Sequence, residues 1–332
     1  VRRLSKAQLD IISRQTLEKT AEVGLENARK NLPYIKKTIR DLQCKASASG
    51  SAIVVSAGPS LHRRNPAPAI LASKYKGTIV TTDGSLGYCL RNGLVPDYVV
   101  TVDPHPDRII RWYGDPALEN RQHDDYFQRQ DLDPALNRDE VARNHELLEL
   151  VNRHGRNIRA VISTSSNPEI ALRCMDAGME IYWWNPLYDD YDAPNSYSRK
   201  VYELTRIPCM VTGGNTGTSS WVFAHAILGA KRTALVGMDL SYHPDLPVEN
   251  TQYYKELVEL FGRRAKEAFI KVYNPYLKRT WYTDPTYYWY RQILLSLARE
   301  ATCKTYNCTE GGIVFGRGIQ FLPLKDFLEI PN

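Results

Sequence analysis

The chain has 332 residues, 43% of them hydrophobic and 24% charged, with a formal net charge of +6. That length buries one large core, or a core with a satellite, and no apolar run approaches the ~20 residues that a helical membrane span needs. Basic residues are interleaved with acids rather than gathered into a stripe, which argues against a nucleic-acid partner and for a small anionic ligand. Over 5–43, apolar residues recur at helical spacing (Leu9, Ile12 and Leu17, then Leu32, Ile35, Ile39 and Leu42), and Pro33 divides them into two helices. The polar run at 45–51 reads as a linker, so a helical segment over 1–48 precedes a core that begins at 49.

From there the pattern alternates. Strands are expected at 52–57, 78–82 and 97–102, with helices at 66–74 and 85–92 between them. Asn65 followed by Pro66 reads as the cap and first turn of the earlier helix. A β-α-β-α-β order implies parallel strands joined by right-handed crossovers. A strand at 158–164, a short helix at 168–177 and a strand at 179–184 follow; then come a helix over 220–229, apolar on most sides, and a strand at 232–238. The expected fold is α/β, a Rossmann-like, mostly parallel sheet flanked by helices. Its core spans 49–245, with 104–150 as a polar insertion or lid and 246–332 as a helical, aromatic-rich region packed on it. Residues 1–15 lack the apolar core of a secretion signal. Cys44, Cys89, Cys174, Cys209, Cys303 and Cys308 form no C-x-x-C pair, so free thiols in the cytoplasm are expected.

In an open α/β sheet, ligands bind beyond the carboxyl ends of the strands. The first strand ends in Gly58-Pro59-Ser60, the second in Asp83-Gly84, the third in Asp103-Pro104-His105, and the last in Gly237-Met238-Asp239. Gly58 admits a phosphate close to the backbone, Ser60 offers a hydroxyl, and the amides after Pro59 can face an anion. Asp83 suits ribose hydroxyls, while Asp103 and Asp239 suit a metal or an acceptor group. Each aspartate equally suits the cap of the next helix. In 212–221, Gly213, Gly214 and Gly217 supply bends, while Asn215, Thr216, Thr218, Ser219 and Ser220 supply donors at the start of a buried helix. That is an anion site, or simple capping by Thr218 or Ser219. His243 is the best-placed acid or base, His105 the next, and His225 reads as a core residue. No H-E-x-x-H, zinc spacing, Walker loop or G-x-S-x-G elbow occurs.

The segments "VVSAGPSL", "TTDGSLGYCLRNGLVPDYVVTVDP", "TGGNTGTSSWVFAHAILGAKRTALVGMDLSY" and "NCTEGG" resemble the bacterial motility-associated-factor (Maf) flagellin glycosyltransferases. That family shares its core with archaeal 6-hydroxymethyl-7,8-dihydropterin diphosphokinase (MptE-like), and the core is similar to sialyltransferases that use CMP-sialic acid. The resemblance covers 31–103 and 158–243, with a return near 307. It implies a CMP-activated nonulosonic acid as donor and a protein or glycan acceptor. By carry-over, Gly58, Pro59 and Ser60 meet the nucleotide phosphate, with Asp83 and Gly84 near ribose or base. Thr218 and Ser219 contact the nucleotide from the other side, and Asp239 and Tyr242 close the pocket. By their own placement at the strand ends, Gly214, Asn215 and Thr216 join the nucleotide-binding candidates, and His243, Asp239 and Asp103 are the catalytic candidates. Metal is not required for this chemistry. The diphosphokinase branch implies ATP instead, with magnesium on Asp103 and Asp239. It has a "D-x-D-G" context where this chain reads "VDPHPD", which favours the transferase. A nucleotide- or sugar-binding protein without catalysis is the third reading.

Overall fold

The computed structural model describes residues 20–43, 50–105, 109–121 and 140–331. The strands are β1 (Ser51–Val55), β2 (Thr78–Thr82), β3 (Tyr98–Thr101), β4 (Arg159–Ser163), β5 (Glu180–Leu187) and β6 (Cys209–Val211). They continue as β7 (Arg232–Val236), β8 (Ile270–Asn274), β9 (Arg279–Thr283), β10 (Lys304–Asn307) and β11 (Ile319–Phe321). Nine of them form one sheet in the order β11-β10-β7-β1-β2-β3-β4-β5-β6, and its neighbouring strands are parallel. The run Ala52-Ile53-Val54-Val55 is buried on both faces, which is why it reads as continuous rather than alternating apolar sequence.

Each face takes every second residue. Val54, Val80, Val100, Val161 and Trp184 point to one side, where Trp221 and Phe223 of a helix over 216–227 and Leu294 and Leu295 of the Pro285–Glu300 helix cover them. Val99, Ala160, Ile162 and Trp183 point to the other side, under Leu86, Leu147, Val151 and Ile170. Trp221 also donates its indole N–H to Thr233 and Thr305, at 3.1 and 3.0 Å, tying β7 to β10 from beneath.

Several expectations change. Residues 20–31 are helical and Pro33 sits in a 3₁₀ turn, Leu32–Tyr34; residues 5–19 lie outside the described residues. The second N-terminal helix shrinks to one turn, Arg40–Gln43, because the backbone before it pairs with β5: Trp183 donates to Lys37 O and Ile39 donates to Trp183 O. The helix expected at 66–74 is present as Ala67–Ala72, with Pro66 and not Asn65 at its cap, and a further short helix, Ser60–Arg64, precedes it. Asn65 ends that short helix in the left-handed region (φ 45°), with its side-chain oxygen accepting from Tyr88 OH at 2.7 Å. Ile109, Ile110, Tyr113, Leu118, Leu147 and Val151 are core residues, so 109–121 and 142–154 form a layer of the core rather than a lid; 106–108 and 122–139 lie outside the described residues. The C-terminal region is not wholly helical either. Tyr273, Trp281 and Tyr282 belong to the antiparallel hairpin β8–β9, and β10 and β11 complete the main sheet across the expected boundary at 245. Cys89, Cys174, Cys209, Cys303 and Cys308 are free thiols; Cys44 lies outside the described residues. Among the described residues, no helix is long and apolar enough to cross a membrane.

Candidate functional site

The strand order reverses at β1: β2 to β6 follow on one side of it, while β7, β10 and β11 lie on the other. The carboxyl ends of β1 and β7 are therefore the candidate position for a ligand in a sheet of this topology. The β1 turn is tightly held there. Ser56 N donates to Val236 O and Gly58 N to Gly237 O, both at 2.8 Å. A Cβ on Gly58 would collide with Asp239 Oδ2 and lie 2.5 Å from Gly237 O, so this glycine serves the approach of two loops. Asp239 is 1% exposed, and its Oδ2 accepts from Ser60 Oγ at 2.6 Å and Ser60 N at 3.2 Å. A Cβ on Gly311 would lie 2.7 Å from Asp239 Oδ1, and Ile313 N donates to Asp239 O. Asp239 thus pins three loops, and the amides of Gly58 and Ser60 with the Ser60 hydroxyl are already engaged within the protein.

Asp83 opens the Asp83–Arg91 helix and is buried. Its Oδ1 accepts from Gly84 N at 2.7 Å, and the hydroxyl of Thr101 at the end of β3 donates to its Oδ2. Burial pushes its pKa up to about 7, against the pull of Thr101 and Gly84, and the charge of Asp103 adds to the rise. Asp103 is half-buried and accepts from His105 N at 2.8 Å. Two neighbouring carboxyl groups, one titrating near neutrality, are suited to holding or releasing a proton.

The loop after β6 is capped by Asn215, not by Thr218 or Ser219. Asn215 Oδ1 accepts from Thr218 N and its Nδ2 donates to Thr218 Oγ1, each at 2.9 Å. Ser219 Oγ donates to Thr212 O at 2.8 Å. Asparagine wins because it can accept from the amide and donate to the hydroxyl at once. A Cβ on Gly214 (φ 86°) would lie 2.5 Å from Tyr290 and 3.1 Å from Trp289, so aromatics of the Pro285–Glu300 helix brace this loop. Asp284 caps that helix, accepting from Thr286 N and Tyr287 N, and Tyr242 OH donates to its other oxygen at 2.7 Å. Burial raises Asp284 to about 6, and burial beside Asp284 holds Tyr242 well above the usual phenol range. His243 packs edge-on against Trp281 of the hairpin, with its Nδ1 accepting from Asp245 N at 3.3 Å. His225 lies 4.3 Å from the Trp221 ring, half-buried, with its pKa lowered by burial.

The structure therefore brings Gly58, Pro59, Ser60 and Asp239 together at the switch point, and Asp83, Gly84 and Asp103 beside them. Tyr242 and His243 are turned towards Asp284 and the hairpin. The sequence reading did not find the contribution of the N-terminal helix. Asn27 Nδ2 donates to Pro104 O at 3.1 Å and Ser165 O at 2.9 Å; Asn31 Nδ2 donates to Thr164 O and Ser166 O at 2.8 and 2.7 Å. A Cβ on Gly24 would lie 2.7 Å from Tyr188 OH. Gly24, Asn27 and Asn31 are spaced to share one helix face, the only sequence signal for this clamp. On the outer side of the helix, a groove of about 640 Å³ is lined by Glu22, Glu26, Lys30, Asn167 and Glu169 and meets the strand ends at Pro104. Ser56 was also missed: it is 6% exposed, and its hydroxyl makes no hydrogen bond with any described residue.

The model of the 6-hydroxymethylpterin diphosphokinase MptE-like family matches residues 26–110, the stretch that holds β1 to β3, the Gly58 turn, Asp83 and Asp103. The structure is similar to that of the Maf glycosyltransferase from Magnetospirillum magneticum AMB-1, with a TM-score of 0.56 and 14% identity. The similarity covers 92% of this chain and 39% of that one, so the chain corresponds to well under half of the larger protein. No curated protein sequence matches the chain. The chain thus carries an MptE-like segment within a Rossmann-like α/β fold similar to that of a Maf glycosyltransferase.

Proposed function

We propose that the chain is a glycosyltransferase that takes a nonulosonic, sialic-acid-like sugar from a CMP-activated donor and passes it to a protein or glycan hydroxyl. One observation carries this reading. Among the described residues, those that directly follow β1 to β7 (56–60, 83–85, 102–105, 164–167, 188–190, 212–215 and 237–241) contain no lysine or arginine; Arg63 and Arg64 come after them on the Ser60–Arg64 helix, where Arg64 donates to Glu310 O. A triphosphate needs cations to balance its charge. The phosphodiester of a CMP-sugar carries a single charge and is served by neutral donors. In transfer, the acceptor oxygen bonds to the anomeric carbon, the bond from that carbon to the phosphate oxygen breaks, and CMP leaves with the electron pair. In this reading Asp103 takes the acceptor proton, which its half-exposed position beside Asp83 supports. Asp239 serves as the pin of the nucleotide loop rather than as a reacting group.

The family match favours a second reading, a pterin diphosphokinase that binds ATP with magnesium. The pair expected to hold the metal, Asp103 and Asp239, does not fit it, because Asp239 is enclosed between Ser60, Gly58 and Gly311. A binding protein without catalysis remains an outcome of the same test. Calorimetric titration with CMP, CTP and ATP, with and without magnesium, should show metal-independent preference for CMP. Magnesium-dependent ATP binding would overturn the transferase reading, and CMP binding without sugar transfer or donor hydrolysis would leave only the binding role.

A further inference from the structure

We infer that the groove on the outer side of the N-terminal helix holds the acceptor, and that this acceptor is an extended polypeptide segment with lysine or arginine beside its hydroxyl residue. On the transferase reading above, on which this rests, the acceptor has yet to be given a place. Position is the first ground. The nucleotide candidates gather where β1 meets β7, whereas the groove borders the loops after β3 and β4, at Pro104 and Pro168. Two strand spacings, roughly 10 Å, separate β1 from β3, and Asp103, the residue before Pro104, stands at the end of β3. A donor over β1 and an acceptor along the N-terminal helix thus reach the proposed base from opposite sides.

Shape is the second ground. Glu22, Glu26 and Lys30 line the groove four residues apart, on one helix face. They span roughly 12 Å of helix, the reach of about four residues of extended chain. Val23, 43% exposed, with Pro104 and Pro168 gives the groove an apolar floor. Prolines offer no N–H, so this floor suits the aliphatic stems of long side chains better than a ring of sugar hydroxyls. Charge is the third ground. Three glutamates face one lysine in the lining, which is therefore net acidic in a chain whose net charge is +6. Part of that charge is balanced: Arg29 and Lys30 lie 3.3 and 3.6 Å from Glu26, and Arg121 reaches one oxygen of Glu169 at 2.5 Å. Glu22 makes no ion pair with any described residue. A basic segment is drawn to this acidic strip and repelled by the cationic remainder of the surface.

The test is fluorescence anisotropy with two labelled peptides, Ala-Lys-Ser-Lys-Ala and Ala-Glu-Ser-Glu-Ala, on the full chain as wild type, Glu22→Lys and Lys30→Glu. Wild type should bind the basic peptide and ignore the acidic one. Glu22→Lys should weaken the basic peptide about fivefold and Lys30→Glu should strengthen it by a similar factor, the upper range for one exposed ion pair. Both side chains are exposed and lie away from β1 and β7, so the thermal midpoint and CMP affinity should not move. Failure of wild type to bind the basic peptide, equal binding of the two peptides, or an affinity indifferent to both substitutions would overturn the groove. CMP binding retained in that case would leave the transferase reading standing. Peptide binding that follows both substitutions, in a chain that binds no CMP, would keep the groove as a peptide site and remove its acceptor role. A dimer in sedimentation velocity that Glu22→Lys dissociates would make a second copy of the chain the occupant and overturn the peptide assignment.

Discussion

Asp83 shows how a single side chain ties the site to the stability of the fold. Its carboxyl group is buried, and burial raises its pKa from 3.8 to about 7, so the folded protein holds a proton that the unfolded chain releases much earlier. The stabilisation from this group is fully present below about pH 4 and is lost as pH rises through about 7. A shift of this size corresponds to roughly 4 kcal/mol. Replacing Asp83 by Asn should flatten the pH dependence of the urea midpoint between about pH 4 and 7, and should leave the variant more stable than wild type at pH 8. An unchanged profile would mean that Asp83 is ionised at little cost. Asp284, raised to about 6, accounts for a residual slope that ends nearer pH 6.

At the scale of elements, the N-terminal helix works as a clamp on the strand ends. One carboxamide, that of Asn27, holds the loops after β3 and β4 together through Pro104 O and Ser165 O, whereas Asn31 holds only the loop after β4. Asn27→Ala leaves two carbonyls without their donor and should cost roughly 2–3 kcal/mol in global stability. Hydrogen exchange should then rise in both 103–105 and 164–166, while Asn31→Ala should affect 164–166 alone. If both variants perturb the same residues, the two asparagines act only through the stability of the helix. The helix lies within the stretch expected to be helical, though the apolar residues that suggested it fall outside 20–31, and its asparagines were not singled out: a polar residue looks solvent-facing until the carbonyls it meets are known.

At the scale of the molecule, the sheet does not stop where the sequence suggested. β10 pairs with β7 from Lys304 to Asn307, and Trp221 reaches across to Thr305. A chain ending at residue 245 would therefore expose one edge of β7 and leave Trp221 half-partnered. It should lack the single cooperative thermal transition expected of the full chain, as followed by near-ultraviolet circular dichroism. A truncated chain with native spectrum and cooperative melting would show that the C-terminal strands are an accessory.

The alternation of apolar runs with helical segments was enough to read the α/β class, strands β1 to β5 and β7, and the strand ends that carry Gly58, Asp83, Asp103 and Asp239, because buried parallel strands leave a local signature of continuous Val, Ile and Ala. Strands β10 and β11 are short and half polar, so their place in the sheet depended on which edge was open to them. The hydrogen bonds that commit Ser60 to Asp239 and leave Ser56 without a partner join residues far apart in the chain. Local pattern placed both serines at the end of one strand; only the packing of β7 and the 216–227 helix against that end decided which of them has a hydroxyl to offer.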